Sequence, residues 1–130
     1  MEDDLYAENI LDHYNNPRNF GIPKKFDLNQ QEINPLCGDE INIYLTLDNK
    51  KIKDIKFSGS GCAISQASAS IISEHIKGKE INEVKSYGKE DILNLLGISI
   101  GPVRLKCALL SLKAIQKSIQ KSENESNIKN

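Results

Sequence analysis

The stretch from Ile41 to Phe57 constrains this chain most. Ile41, Ile43, Leu45 and Leu47 alternate with Asn42, Tyr44 and Thr46, the period of a strand with one apolar face. Asp48-Asn49-Lys50 reads as a turn, and Ile52 to Phe57 as the returning strand. Ile55 and Phe57 share a face while Ile52 falls out of phase with them, which predicts a β-bulge. A half-buried hairpin is marginal alone and needs a second layer over its apolar face.

Helices supply that layer. Residues 3–15 carry Ala7, Ile10, Leu11 and Tyr14 on one stripe, with acidic residues in the first turn and Asn15-Asn16-Pro17 as the stop. Residues 16–25, with Pro17, Gly21 and Pro23, read as irregular. Phe26 to Ile33 reads as a short polar strand, and residues 34–39 as a loop. Gly-rich residues 58–62 open a helix to about Lys77, with Ile64, Ala67, Ile71, Ile72 and Ile76 on its buried side and Gly78 beyond its end. Its run Ala67 to Ser70 is small enough to admit another backbone closely. Two short helices follow, one around Ile81 and Val84, the other from Asp91 to Leu96. Gly101-Pro102 precedes a last helix, about 103–120, striped by Leu105, Ala108, Leu109, Leu112, Ile115 and Ile119. Residues 121–130 hold one apolar residue and are expected to form a disordered tail, leaving 1–120 as a single domain.

Size and charge narrow the function classes. A chain of 130 residues buries roughly 65–70% of its unfolded surface and needs no disulfide to fold. Its 17 basic and 18 acidic residues leave a net charge of −1, so nucleic acid has no electrostatic claim on it. With aromatics at 5% and no Trp, base stacking is disfavoured too. No apolar run approaches the ~20 residues of a membrane span. The acidic start, Met1-Glu2-Asp3-Asp4, is unlike a signal peptide, and a cytoplasmic location is expected.

Three cysteines stand out: Cys37, Cys62 and Cys107. An odd number in a cytoplasmic chain argues against a disulfide framework, and none forms a C-x-x-C. Taken alone, they are as well read as three separately buried small hydrophobes. Their contexts argue otherwise. Cys62 and Cys107 lie near helix starts, where thiolates are favoured. Cys37 is followed by Gly38 and Asp39, and the glycine lets a sulfur and a carboxylate turn toward one point. Three thiolates and one carboxylate suit tetrahedral Zn²⁺, and thiolates also hold iron–sulfur clusters. Arg104 and Lys106 flank Cys107 and would relieve the excess negative charge. The plainer readings are Asp39 as a turn former and Lys106 as a surface lysine. His13 and His75 read as packing or surface histidines, Arg18 as a helix cap or docking residue, and Lys113, Lys117 and Lys121 as a solvated face.

The cysteine contexts resemble the IscU/NifU N-terminal family of iron–sulfur assembly proteins. The matching stretches are Leu5 to Gly21, Asn34 to Ile41 (N-P-L-C-G-D-E-I), Gly59 to Glu74, and Pro102 to Ile115. Arg104-Leu105-Lys106-Cys107 resembles the R-x-K-C of the SufU branch, where the IscU branch has His in the place of Lys106. The 45-residue spacing from Cys62 to Cys107 leaves no room for the insertion usual in SufU proteins. Of the IscU chaperone-binding segment, only Pro102-Val103-Arg104 is kept. The resemblance implies an α+β fold: a three-stranded antiparallel sheet packed on several helices, with a metal site at one end. It implies Zn²⁺ at rest on Cys37, Asp39, Cys62 and Cys107, and a transient [2Fe-2S] cluster or iron on the three cysteines. It also implies sulfur delivered by a cysteine desulfurase of the SufS or IscS kind. Cys37, in its Gly-hinged loop, is the expected acceptor, with Lys106 and Arg104 assisting. Apo iron–sulfur proteins or other assembly proteins are the expected recipients. The expected role is that of a scaffold or sulfur acceptor rather than an enzyme. A zinc-dependent persulfide relay alone and a structural zinc interaction domain stay open as alternatives.

Overall fold

A computed structural model describes residues 8–129, with side chains through residue 125. In chain order the elements are α1 (Glu8–Asn15), β1 (Leu28–Asn34), β2 (Asp39–Asp48), β3 (Lys51–Ser60), α2 (Ala63–Ile76), α3 (Ile81–Lys85), α4 (Lys89–Leu96) and α5 (Pro102–Lys129). The strands form one antiparallel sheet in the order β1-β2-β3. The α+β architecture is therefore as expected.

The β2–β3 hairpin closes through Asn49 and Lys50, at φ 49° and 68°. Two consecutive left-handed residues form the tight turn whose twist matches the flanking strands. The bulge is there as well. Thr46 faces Asp54 but Leu47 faces Ile52, so Lys53 is the extra residue. Its insertion puts both Ile52 and Ile55 inside, despite their odd spacing. The inner face of the sheet packs on α2 and α5. Ile41, Ile43, Leu45, Ile55 and Phe57 meet Ile64, Ala67, Ile72, Ala108, Leu112 and Ile115 in one core.

Two irregular segments brace β3 along its outer side. Gly21 N–H donates to the Phe57 carbonyl at 2.7 Å, and Phe57 N–H to the Asn19 carbonyl at 2.9 Å. At the other end Gly78 N–H bonds the Ile52 carbonyl at 2.7 Å, and Ile52 N–H the Lys79 carbonyl at 2.9 Å.

Several expectations need correction. Of the first helix, residues 3–7 with Ala7 lie outside the described part, and in the remainder only Ile10 is buried. Tyr14, expected in the stripe, is exposed. The last helix does not stop near residue 120. It continues to Lys129 through most of the expected tail, whose Lys and Glu residues are good helix formers. A 2.8 Å ion pair from Lys85 to Glu123 ties that turn to α3. The buried arc of α5 is also wider than one stripe, because sheet and α2 press on it from two sides. Lys113 and Lys117 are more than a solvated face. Their ammonium groups stand 3.9 and 2.7 Å from the largely buried Glu32 carboxylate.

Candidate metal centre

The site is built where the β1–β2 connection meets the starts of α2 and α5. Asn34 and Asp39 are opposite partners in the sheet, and residues 35–38 form the hairpin loop between them. The Asn34 carbonyl accepts from both Cys37 N–H (3.2 Å) and Gly38 N–H (2.8 Å). Gly38 completes the turn at φ 72°, a conformation glycine takes without strain. Cys37 is thus carried exposed at the tip.

Asp39 is no loop residue. It opens β2 and shares the buried phase of Ile41, Ile43 and Leu45, with no exposure at all. A carboxylate so placed needs partners. Its Oδ1 accepts the Cys62 N–H at 2.9 Å, at the N-terminus of α2, where the helix favours negative charge. Its Oδ2 lies 4.0 Å from Cys62 Sγ. Gly61 makes room for it: a Cβ there would stand 2.5 Å from Asp39 Oδ1 and 2.5 Å from Ser65 Oγ.

Cys107, in the second turn of α5, is 1% exposed. Its Sγ is 3.5 Å from Cys37 Sγ, and Asn34 Nδ2 donates to it at 3.6 Å. Burial pushes the Cys107 thiol far above the ordinary thiol range, and the hydrogen bonds to Asp39 and Cys37 add to the shift.

Ligand atoms of Cys37, Asp39 and Cys107 all lie within 4.8 Å of one another. Cys62 stands just beside this trio, joined to it through Asp39. Among the described residues neither histidine joins the group. His13 Nδ1 instead meets Ser70 Oγ at 2.7 Å, and His75 packs on Tyr87. Arg18 caps α1, with Nη1 on the Asn16 carbonyl (3.2 Å) and Nη2 on Asp12 (2.7 Å). Lys106 is exposed and, with Lys113, edges an apolar groove of about 380 Å³ formed by Ile33, Pro35, Leu36, Leu109 and Leu110. Arg104 is half-buried one turn before Cys107. Asn34 was missed in the sequence. The signal was there, since Asn before Pro commonly organises the turn that follows.

The chemistry of the trio is that of a cation site. Two thiols and a buried carboxylate converge, with the Cys62 N–H and Asn34 Nδ2 among the donors that face them. Soft sulfur with one oxygen is a donor set that Zn²⁺ accepts.

Residues 5–129 match the sequence model of the NifU-like N-terminal domain. The chain belongs to that family. Within it, the chain is 43% identical to the zinc-dependent sulfurtransferase SufU of Bacillus subtilis, over 93% of each protein. That alignment spans 141 positions, more than the 130 residues here, so the relative carries residues that this chain lacks. It is 37% identical to the iron–sulfur cluster assembly scaffold protein IscU of Rickettsia prowazekii, over 92% of this chain and 96% of that one. A crystal structure of a putative iron–sulfur cluster assembly scaffold protein for the SUF system from Fervidobacterium islandicum superposes with a TM-score of 0.76 at 30% identity. It covers 89% of this chain and 97% of that one. This NifU-like chain thus shares its fold and nearly its whole length with proteins named for scaffold work and for zinc-dependent sulfur transfer.

Proposed function

We propose that this NifU-like protein accepts sulfur from a cysteine desulfurase on Cys37 and serves iron–sulfur cluster assembly. The observation that carries the reading is the contrast between two neighbouring thiols. Cys37 sits exposed on a loop hinged at Gly38, while Cys107, 3.5 Å away, and Asp39 are buried. One donor is free to swing out while the others stay.

The resident ion of this reading is Zn²⁺ on Cys37, Asp39, Cys62 and Cys107. When bound, it would keep the coordinated thiols deprotonated at neutral pH. The protein's own residues do the rest. The Cys37 thiolate attacks the terminal sulfur of the desulfurase persulfide. A new S–S bond forms at Cys37, the desulfurase S–S bond breaks, and the desulfurase cysteine leaves as thiolate. Arg104 and Lys106 offset the negative charge around Cys107. The sulfur ends on the chain itself and passes to an apo iron–sulfur protein or another assembly protein. This makes the protein an acceptor and carrier with sulfurtransferase-like character.

A second reading, a transient [2Fe-2S] cluster on Cys37, Cys62 and Cys107, is favoured by the residues missing relative to the SufU protein and by the near full-length match to IscU. Both readings take the cytoplasm as the place of action. Among the described residues no helix is long and apolar enough to cross a membrane.

The test is incubation with a cysteine desulfurase and cysteine, then mapping of persulfide by mass spectrometry after alkylation. Sulfur on Cys37, abolished in Cys37→Ser, is expected. Label mainly on Cys107 and retained in Cys37→Ser would overturn the assignment and favour the scaffold reading. Metal analysis of protein purified without added metal should return one Zn²⁺ per chain.

A further inference from the structure

We propose that Asn34 is the positioning residue that gives Cys37 and Cys107 their different tasks, holding Cys107 as a blunted anchor and presenting Cys37 as the acceptor. The proposal rests on the sulfur-acceptor reading above. Asn34 is 6% exposed, yet its polar groups are engaged with the two cysteines and the loop between β1 and β2. Its carbonyl accepts from Cys37 N–H at 3.2 Å and Gly38 N–H at 2.8 Å. Its Oδ1 accepts from Leu36 N–H at 3.3 Å. Its Nδ2 donates to Cys107 Sγ at 3.6 Å.

The orientation of the side-chain amide follows from these partners. The Leu36 N–H can only meet an oxygen, so Oδ1 faces the loop and Nδ2 faces the sulfur. An N–H aimed at a sulfur withdraws electron density from its lone pairs. For a metal-bound thiolate that lowers nucleophilicity and shifts the electronic levels of the sulfur, as outer hydrogen bonds do at metal sites generally. Cys107 therefore receives burial and an N–H donor from the same residue whose carbonyl props Cys37 into solvent. One buried amide sets the direction of reactivity across a 3.5 Å sulfur pair.

Two substitutions separate this from simple support of the loop. Asn34→Asp keeps an acceptor for Leu36 N–H and nearly the same volume, but removes the N–H donor. Asn34→Ala removes both. The first measurement is the thiolate-to-cobalt charge-transfer band of the Co²⁺-substituted protein, which needs no sulfur transfer. Loss of the donor should move the band to longer wavelength in both variants. The second is mapping of persulfide between Cys37 and Cys107 after treatment with desulfurase and cysteine. The share on Cys107 should rise by about tenfold, the equivalent of one hydrogen bond. A third is alkylation of the zinc-loaded protein with a small reagent, where Cys107 should become more reactive relative to Cys37.

If Asn34→Asp, folded by circular dichroism, keeps the cobalt spectrum, the persulfide distribution and the alkylation pattern of the parent, the proposal is overturned. If the parent already carries its sulfur on Cys107, the acceptor reading fails. The cobalt spectrum still judges the Asn34 donor in that case.

Discussion

Replacing Gly61 by Ala tests whether the Asp39 carboxylate depends on the seat described above. The new Cβ would stand 2.5 Å from Asp39 Oδ1, 3.0 Å from Asp39 Cγ and 2.5 Å from Ser65 Oγ. Ser65 can rotate away, at the expense of its 3.0 Å bond to the Cys62 carbonyl. Asp39 cannot escape so easily. Its side chain is short, fully buried, and fixed by the Cys62 N–H at 2.9 Å. Relieving the clash takes a shift of roughly 1 Å, enough to break that bond. A hydrogen bond to a charged group is worth about 1.5–3 kcal/mol, and overpacking costs about 1–3 kcal/mol. The two overlap, because moving the carboxylate relieves the packing. The net expectation is about 2–4 kcal/mol of stability, read by urea denaturation. Displacing a ligand of the proposed Zn²⁺ site should also weaken Zn²⁺ binding by about 10–100-fold in chelator competition. Gly78→Ala is the control. It has φ 87° with no atom within 4 Å of the added Cβ, so it should cost about 1–2 kcal/mol in backbone strain and leave metal affinity alone. If Gly61→Ala matches the parent in both midpoint and affinity, the carboxylate does not need its seat.

Three further outcomes are expected. Lys50→Gly should stabilise the protein by about 0.5–1 kcal/mol in urea melts, because Lys50 sits at φ 68° in a turn that favours glycine there; an unchanged midpoint would contradict it. Lys117→Met should cost about 1–2 kcal/mol, because it leaves the Glu32 carboxylate buried with only Lys113 at 3.9 Å; neutrality would mean that water reaches Glu32. His13 is held below the usual histidine value of 6.5, first by burial and then by the Arg18 charge. The unfolded chain therefore binds the proton more readily. His13 should contribute its full stability above 6.5 and lose it as pH falls toward the lowered folded value. A His13→Gln variant should flatten that acid slope; an unaltered slope would assign it elsewhere.

The β2–β3 hairpin, its bulge and the helices were legible because each rests on local periodicity. Ile52 falling out of phase was enough to place an extra residue near it. The polar strand β1 was harder, since Asn29, Gln30, Gln31 and Glu32 carry no apolar alternation. It is a strand because β2 offers it a ladder and α5 covers it. Asp39 was legible as a candidate ligand but not as a strand residue, although its position two before Ile41 already put it in the buried phase. The convergence of Cys37 and Cys107, 70 residues apart, came from motif resemblance. No local rule brings two such residues together; tertiary packing does. The run after residue 120 misled for a related reason. Lack of apolar residues argues against a core, but a helix already nucleated by α5 extends without one through a run that Lys121, Glu123 and Glu125 favour.

The irregular segments bracing β3 bear on how this chain behaves in a crowd. An isoleucine-rich hairpin with a bare outer strand would be a template for pairing with another copy. Here residues 19–21 and 78–79 already occupy the β3 backbone at Phe57 and Ile52. The β3 margin is thus closed to pairing at these points by segments that lie outside the core. Fraying of the 19–21 strap would expose the Phe57 backbone at the loss of the ring contact of Phe20 with Phe57. Aggregation should therefore begin at that margin, well ahead of global unfolding.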